Sequence, residues 1–89
     1  MPYAKYSPEE VEFRGEEIYE QQIRRKVEAG NKGKFVVIDI ETGEYEMDGD
    51  ELAAIQRAKA KRPRGIRFVK RVGYASAHRI GGALKATGP

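Results

Sequence analysis

Lys34-Phe35-Val36-Val37-Ile38-Asp39-Ile40, closed by Glu41-Thr42-Gly43, is the one continuous apolar run in the chain and decides the fold. Its β-branched and aromatic residues read as a strand, and an apolar side chain at consecutive positions puts apolar surface on both faces of the pleat. Such a strand must be covered on both sides and belongs in the middle of a sheet. Glu41-Thr42-Gly43 then fits a tight hairpin with Gly43 in the left-handed conformation. Glu44-Tyr45-Glu46-Met47 alternates polar and apolar, as a second strand with one wet face would. Asp48-Gly49-Asp50-Glu51 opens a helix capped by Asp48 or Asp50, with Leu52, Ile55 and Ala58 on its inner side and Pro63 as its stop. Ile66-Arg67-Phe68-Val69-Lys70-Arg71-Val72 is a third strand, amphipathic and basic, ended by Gly73.

Upstream, residues 1–6 carry no pattern and read as a loose arm. Ser7-Pro8-Glu9-Glu10 is a helix start: Ser7 as N-cap, Pro8 at the first helical position, Glu10 closing a capping box. Val11, Ile18, Tyr19, Ile23 and Val27 recur on one helical face, and Arg24, Arg25 and Lys26 suit the negative end of the helix dipole. Ala29-Gly30-Asn31 ends the helix. Gly15 costs about 1 kcal/mol relative to alanine, so it either admits another backbone or divides the helix, and the span from Arg14 to Ala29 is the firmer part. The fold class is therefore α+β, in the order α-β-β-α-β, with a long N-terminal helix, a crossover helix and the strand order 2-1-3. Were the third strand parallel to the first, its connection would be a right-handed crossover. Residues 1–89 form a single domain, with 7–74 as the ordered core and 75–89 as a basic, Gly-rich, partly mobile tail. Three strands leave an exposed edge, which invites dimerisation or a partner strand.

Charge is distributed unevenly. All 14 acidic residues lie between Glu9 and Glu51; from Leu52 onward there are none, against ten basic residues (Arg57, Lys59, Lys61, Arg62, Arg64, Arg67, Lys70, Arg71, Arg79, Lys85). Either the halves neutralise each other across the folded domain or across a dimer, or the asymmetry marks an electrostatic partner: nucleic acid, a membrane surface or an acidic protein. The absence of cysteine excludes a disulfide framework and a thiolate metal site, which makes the cytoplasm the default compartment. No apolar leader or membrane-spanning run is present, so the chain is expected to be soluble and to make no membrane contact.

Asp39-x-Glu41-Thr42-Gly43 after an apolar strand resembles the first motif of the DnaQ-type 3′–5′ exonucleases, whose two carboxylates bind divalent metals. That chemistry needs further acids from later in the chain, and none follows Glu51. Asp39 and Glu41 are accordingly read as hairpin and edge-facing polar residues. His78 is the sole histidine, with no cysteine or nearby acid to make a dyad or metal site. Ser76 has no base except His78 two residues on, and Gly81-Gly82 lacks the Lys-Ser/Thr pair of a phosphate loop. No catalytic residue, metal or cofactor is assigned.

What remains is binding. Arg67, Lys70, Arg71, Tyr74, His78 and Arg79 form the candidate surface, combining cations with aromatic rings on the third strand and tail. Such a set suits either an acidic protein partner or phosphates and unpaired bases, although no standard nucleic-acid-binding signature is visible. Glu17-Ile18-Tyr19-Glu20, Gly33 to Gly43 and Arg71-Val72-Gly73-Tyr74 resemble a family of small uncharacterised bacterial proteins. That resemblance implies antitoxin-like operon partners and this architecture, and carries over no catalytic residue. The expected function is a non-catalytic binding or accessory protein that engages a protein partner, or a second copy of itself, through the basic strand, tail and sheet edge. The alternative is a nucleic-acid binder using the basic region 57–85.

Overall fold

The structure, a computed structural model, describes residues 6–74; residues 1–5 and 75–89 lie outside it, and with them the expectation for the tail. The chain runs through α1 (Pro8–Ile18), a π-helical turn (Tyr19–Ile23), α2 (Arg24–Val27), β1 (Phe35–Asp39), β2 (Tyr45–Asp48), α3 (Glu51–Lys61) and β3 (Arg67–Arg71). The strands form one sheet in the order β2-β1-β3, the α+β arrangement expected. One conditional expectation does not arise: β1 is antiparallel to both neighbours, with Val37 opposite Glu46 on one side and Val69 on the other. The reason lies in α3. It carries the chain back along the sheet, so β3 runs the same way as β2 and against β1. The crossover unit is thus β2-α3-β3, with β1 inserted between its strands.

The first helix starts as its sequence dictates. Ser7 Oγ accepts from Glu10 N at 3.1 Å while Glu10 Oε1 accepts from Ser7 N at 2.8 Å, a complete capping box, and such caps contribute about 1 kcal/mol. Tyr6, expected to belong to a loose arm, packs against the core instead and lies under the Arg14 guanidinium, which is 5.3 Å from its ring centre. The π-helical turn widens the helix at Tyr19–Ile23, where Arg24 N donates back to Tyr19 O. Tyr19, Ile23 and Val27 are all buried along it. The helix stops two residues earlier than Ala29: Asn31 Nδ2 donates to Val27 O at 2.8 Å, and Gly30 turns at φ 78°.

Gly15 neither divides the helix nor admits a backbone. A Cβ there would lie 2.3 Å from the Phe68 ring, so the absent side chain is the socket that seats β3 under α1. On this face Val36, Ile38 and Ile40 of the central strand region meet Tyr19, Ile23, Val27, Phe68 and Val72 in one apolar cluster.

The opposite face is built differently. Val37 and Ala54 are fully buried, but Leu52, expected on the inner side of α3, is 60% exposed. The helix is turned instead by charge. Arg57 spans β2, donating Nε to Glu46 at 3.1 Å, Nη1 to Asp48 at 2.9 Å and Nη2 to the Met47 carbonyl at 2.8 Å. Lys61 also pairs with Glu46. The Glu46 side of β2, expected to be wet, is thereby covered. These pairs hold Glu46 below the usual carboxylate range, Lys61 first and Arg57 next; Asp48 is lowered by the Asp50 amide and then by Arg57.

Two outcomes follow from this packing. Helix propensity alone makes Gly15→Ala stabilising by about 1 kcal/mol, whereas overpacking against Phe68 costs about 1–3 kcal/mol. The steric term wins at 2.3 Å, so thermal melting of Gly15→Ala is expected several degrees below the parent; a rise would show that Phe68 yields freely. Because the folded-state pKa values of Glu46 and Asp48 are depressed, their stabilisation is complete above the unfolded carboxylate pKa of about 4 and is lost as pH falls through the folded values. Urea midpoints should therefore drop between about pH 5 and pH 2.5, and Arg57→Gln should flatten that limb.

Candidate binding surface on the third strand

β3 holds its place by alternation. Phe68, Lys70 and Val72 point to the α1 face, and Arg67, Val69 and Arg71 share the other face with Phe35, Val37 and Asp39. The candidate residues therefore separate. Lys70 is buried: its Nζ pairs with Glu16 Oε1 at 3.1 Å and sits 5.4 Å from the Tyr19 ring centre. It ties α1 to β3 and is not presented at the surface, which corrects its place in the candidate set. Arg67 is half-buried, with Nη1 donating to Arg62 O at 3.0 Å. His78 and Arg79 fall outside the described residues.

Arg71 and Tyr74 are brought together. The Arg71 guanidinium lies 4.3 Å from the Tyr74 ring centre and 5.2 Å from that of Phe35, its cross-strand neighbour. Its Nε donates to Gly33 O at 3.1 Å. Gly73, at φ 84°, turns Tyr74 back over it. Lys32 Nζ adds a second cation 5.8 Å from the Tyr74 ring. Among the described residues no carboxylate pairs with Arg71, Arg67, Arg64 or Lys59. By contrast Arg57, Lys61, Arg62 and Lys70 are paired with Glu46, Asp48, Asp39, Glu41 and Glu16. Part of the basic half is thus neutralised inside the fold, and the unpaired part includes two arginines on one face of β3. Sequence reasoning missed Phe35 and Lys32, which the register and the Gly33 turn bring to this patch; Phe35 was legible as the half-buried start of a central strand.

Each outer strand turns alternate backbone groups away from β1. Ile40 N donates to Ile66 O at 3.0 Å and Val72 N to Lys34 O at 2.8 Å. The even-numbered residues of β3 therefore turn their amides towards β1, and Arg67, Val69 and Arg71 turn theirs outward. The Arg71 carbonyl is taken by Tyr74 N at 3.2 Å, while the Val69 amide and carbonyl have no backbone partner among the described residues. On the far side of the sheet, β2 turns Tyr45 and Met47 outward; Arg57 occupies the Met47 carbonyl, and the Tyr45 amide and carbonyl, like those of Val69, have no backbone partner among the described residues.

Two other features complete the picture. Asp39 is buried in the central strand, not edge-facing. Its Oδ1 accepts from the Glu41 amide at 2.9 Å and the Thr42 amide at 3.2 Å, forming the hairpin turn. Its Oδ2 faces Arg62 Nε as an ion pair whose atoms are out of line for a hydrogen bond. No group of three or more potential metal ligands occurs among the described residues. Beneath Tyr74 lies a cleft of about 220 Å³ lined by Tyr19, Arg24, Glu28 and Lys70. Burial, and then the Glu28 carboxylate, push the Tyr19 phenol above its ordinary pKa, and its hydroxyl has no hydrogen-bond partner among the described residues.

No protein-family model matches the chain, and no curated protein or solved structure matches it. Among the described residues no helix is long and apolar enough to cross a membrane.

The two neighbouring cations of β3 should separate in a stability assay. Lys70→Ala removes a buried stem and uncovers Glu16, with an expected cost of about 1–2 kcal/mol. Arg71→Ala, on the surface, should stay within about 0.5 kcal/mol of the parent. Equal losses by urea denaturation would contradict this division between a structural and a presented cation.

Proposed function

We propose that this protein is a non-catalytic binding protein that takes up an extended segment of a protein partner at the outer edge of β3. The observation that supports this most is the setting of the β3 edge: the Val69 amide and carbonyl have no backbone partner among the described residues, and they lie beside Arg71, which has no carboxylate partner there either. Open edges are liabilities that proteins usually block, and an edge left open beside an unpaired arginine and two aromatic rings suits strand addition. Main-chain hydrogen bonds would supply affinity, and Arg67, Arg71, Tyr74 and Phe35 would select the partner. The antitoxin-like resemblance fits this reading, since such proteins act through a small partner.

The test is isolation of the tagged protein from its native cell beside a Val69→Pro variant. Proline deletes the outward amide without removing a hydrogen bond to β1. One defined protein should accompany the parent and be lost from Val69→Pro while the melting temperature stays within a few degrees. Retention of that protein by the variant would overturn the edge as the binding element. Should the variant unfold, Arg71→Glu gives the same comparison on a surface residue. A gel shift with mixed DNA and RNA that vanishes at high salt would favour the nucleic-acid alternative.

A further inference from the structure

Resting on that edge reading, the charges along β3 say which strand it takes. We infer that the edge selects an extended peptide with acidic residues at alternate positions flanking an apolar one, and rejects a second copy of this chain.

The argument is one of register. Arg67, Val69 and Arg71 turn their amides to the open edge and their side chains to the face where α3 sits over β1 and β2, Arg71 exposed and Arg67 half-buried beside the Arg62 carbonyl. A strand added there places its residues i, i+2 and i+4 beside Arg67, Val69 and Arg71. Neither arginine has a carboxylate partner among the described residues, so residues i and i+4 are best acidic and residue i+2 apolar. This pattern reads the same in both directions, so parallel and antiparallel addition make the same demand. On the other face Lys70 is already held by Glu16, and residues i+1 and i+3 would approach that acidic helix. Acids there are disfavoured, and small neutral residues fit.

The same register excludes self-pairing. Two copies joined edge to edge about a two-fold axis at Val69 would set Arg67 of each directly opposite Arg71 of the other. Like charges directly opposite destabilise a pair, and here the clash occurs twice. Reversing one member converts both clashes into Arg–Glu pairs, so Arg71→Glu should self-associate where the parent does not.

The experiment uses three synthetic heptapeptides with blocked ends: Thr-Glu-Thr-Val-Thr-Glu-Thr, its lysine counterpart, and a threonine–valine control in which both acids are glutamine. Binding to the full chain is read by amide chemical shifts and by calorimetry at low and physiological salt. The acidic peptide should bind the parent at least about tenfold more tightly than the lysine peptide, a charge-pair difference of the size expected for two flanking pairs. Arg71→Glu should narrow that preference, and Val69→Pro should abolish binding of all three. If the control and lysine peptides bind as well as the acidic one, and Val69→Pro still abolishes binding, the edge survives and the acidic selectivity falls. If Val69→Pro binds the acidic peptide like the parent, the attraction is diffuse and the edge reading itself falls. No binding by any peptide at millimolar concentration overturns both, as does a single-stranded oligonucleotide of equal charge that binds more tightly at the same residues. Sedimentation supplies the last arm: parent self-association equal to that of Arg71→Glu would overturn the rejection of a second copy.

Discussion

Everything in this domain answers to a central strand that has no exposed side. Val36, Val37 and Ile38 have no solvent exposure, so β1 must be paired on both edges and roofed on both faces by a chain with few residues to spare. A domain of this size buries a modest fraction of its surface, and the two roofs are made from different materials. The α1 side uses bulk, with aromatic and branched side chains closing over Ile38 and Ile40. The α3 side uses small alanines to bring the helix close, then rims the contact with arginine, lysine and glutamate. Exposed or half-exposed ion pairs contribute little individually. Their role here is orientational, since Glu46 and Asp48 decide which side of α3 faces down.

That division explains the lopsided charge of the sequence. The acids of β2 and the hairpin are the counterions of the helix that follows them, so part of the contrast between the two halves is internal bookkeeping of the fold. The remainder is concentrated where no internal acid reaches. Arg71 is held flat by Phe35 and Tyr74 and by the Gly33 carbonyl, which reduces the freedom it would lose on meeting a ligand. An arginine set between rings without a carboxylate is a different object from an exposed cation such as Lys59 on α3, which has neither ring nor carboxylate beside it among the described residues.

Much of the fold was legible in the residues. The two-faced run at Val36-Val37-Ile38 placed β1 in the centre, and the capping box at Ser7 and Glu10 set the helix start. The direction of β3 was also available, because a helix after β2 returns the chain to run along β2. The rotation of α3 was legible only in part: Ala58 lies against the sheet as its spacing implied, but Leu52, more apolar than Ala54, is turned out while Ala54 is buried. Gly15 announced a close approach but could not name Phe68, which lies far along the chain. In the candidate surface, period-two alternation already separated Lys70 from Arg67 and Arg71. What alternation could not show is that Glu16 would claim Lys70, or that a glycine turn would fold Tyr74 onto Arg71.

The three-pronged grip of Arg57 on β2 bears on which changes the domain can absorb. Lysine at that position would offer a single ammonium and reach fewer acceptors, so the planar fork joins Glu46, Asp48 and the Met47 carbonyl in a way a mere positive charge would not. One side chain thereby clamps the helix onto the strand that precedes it, and losing the fork would loosen the two elements together.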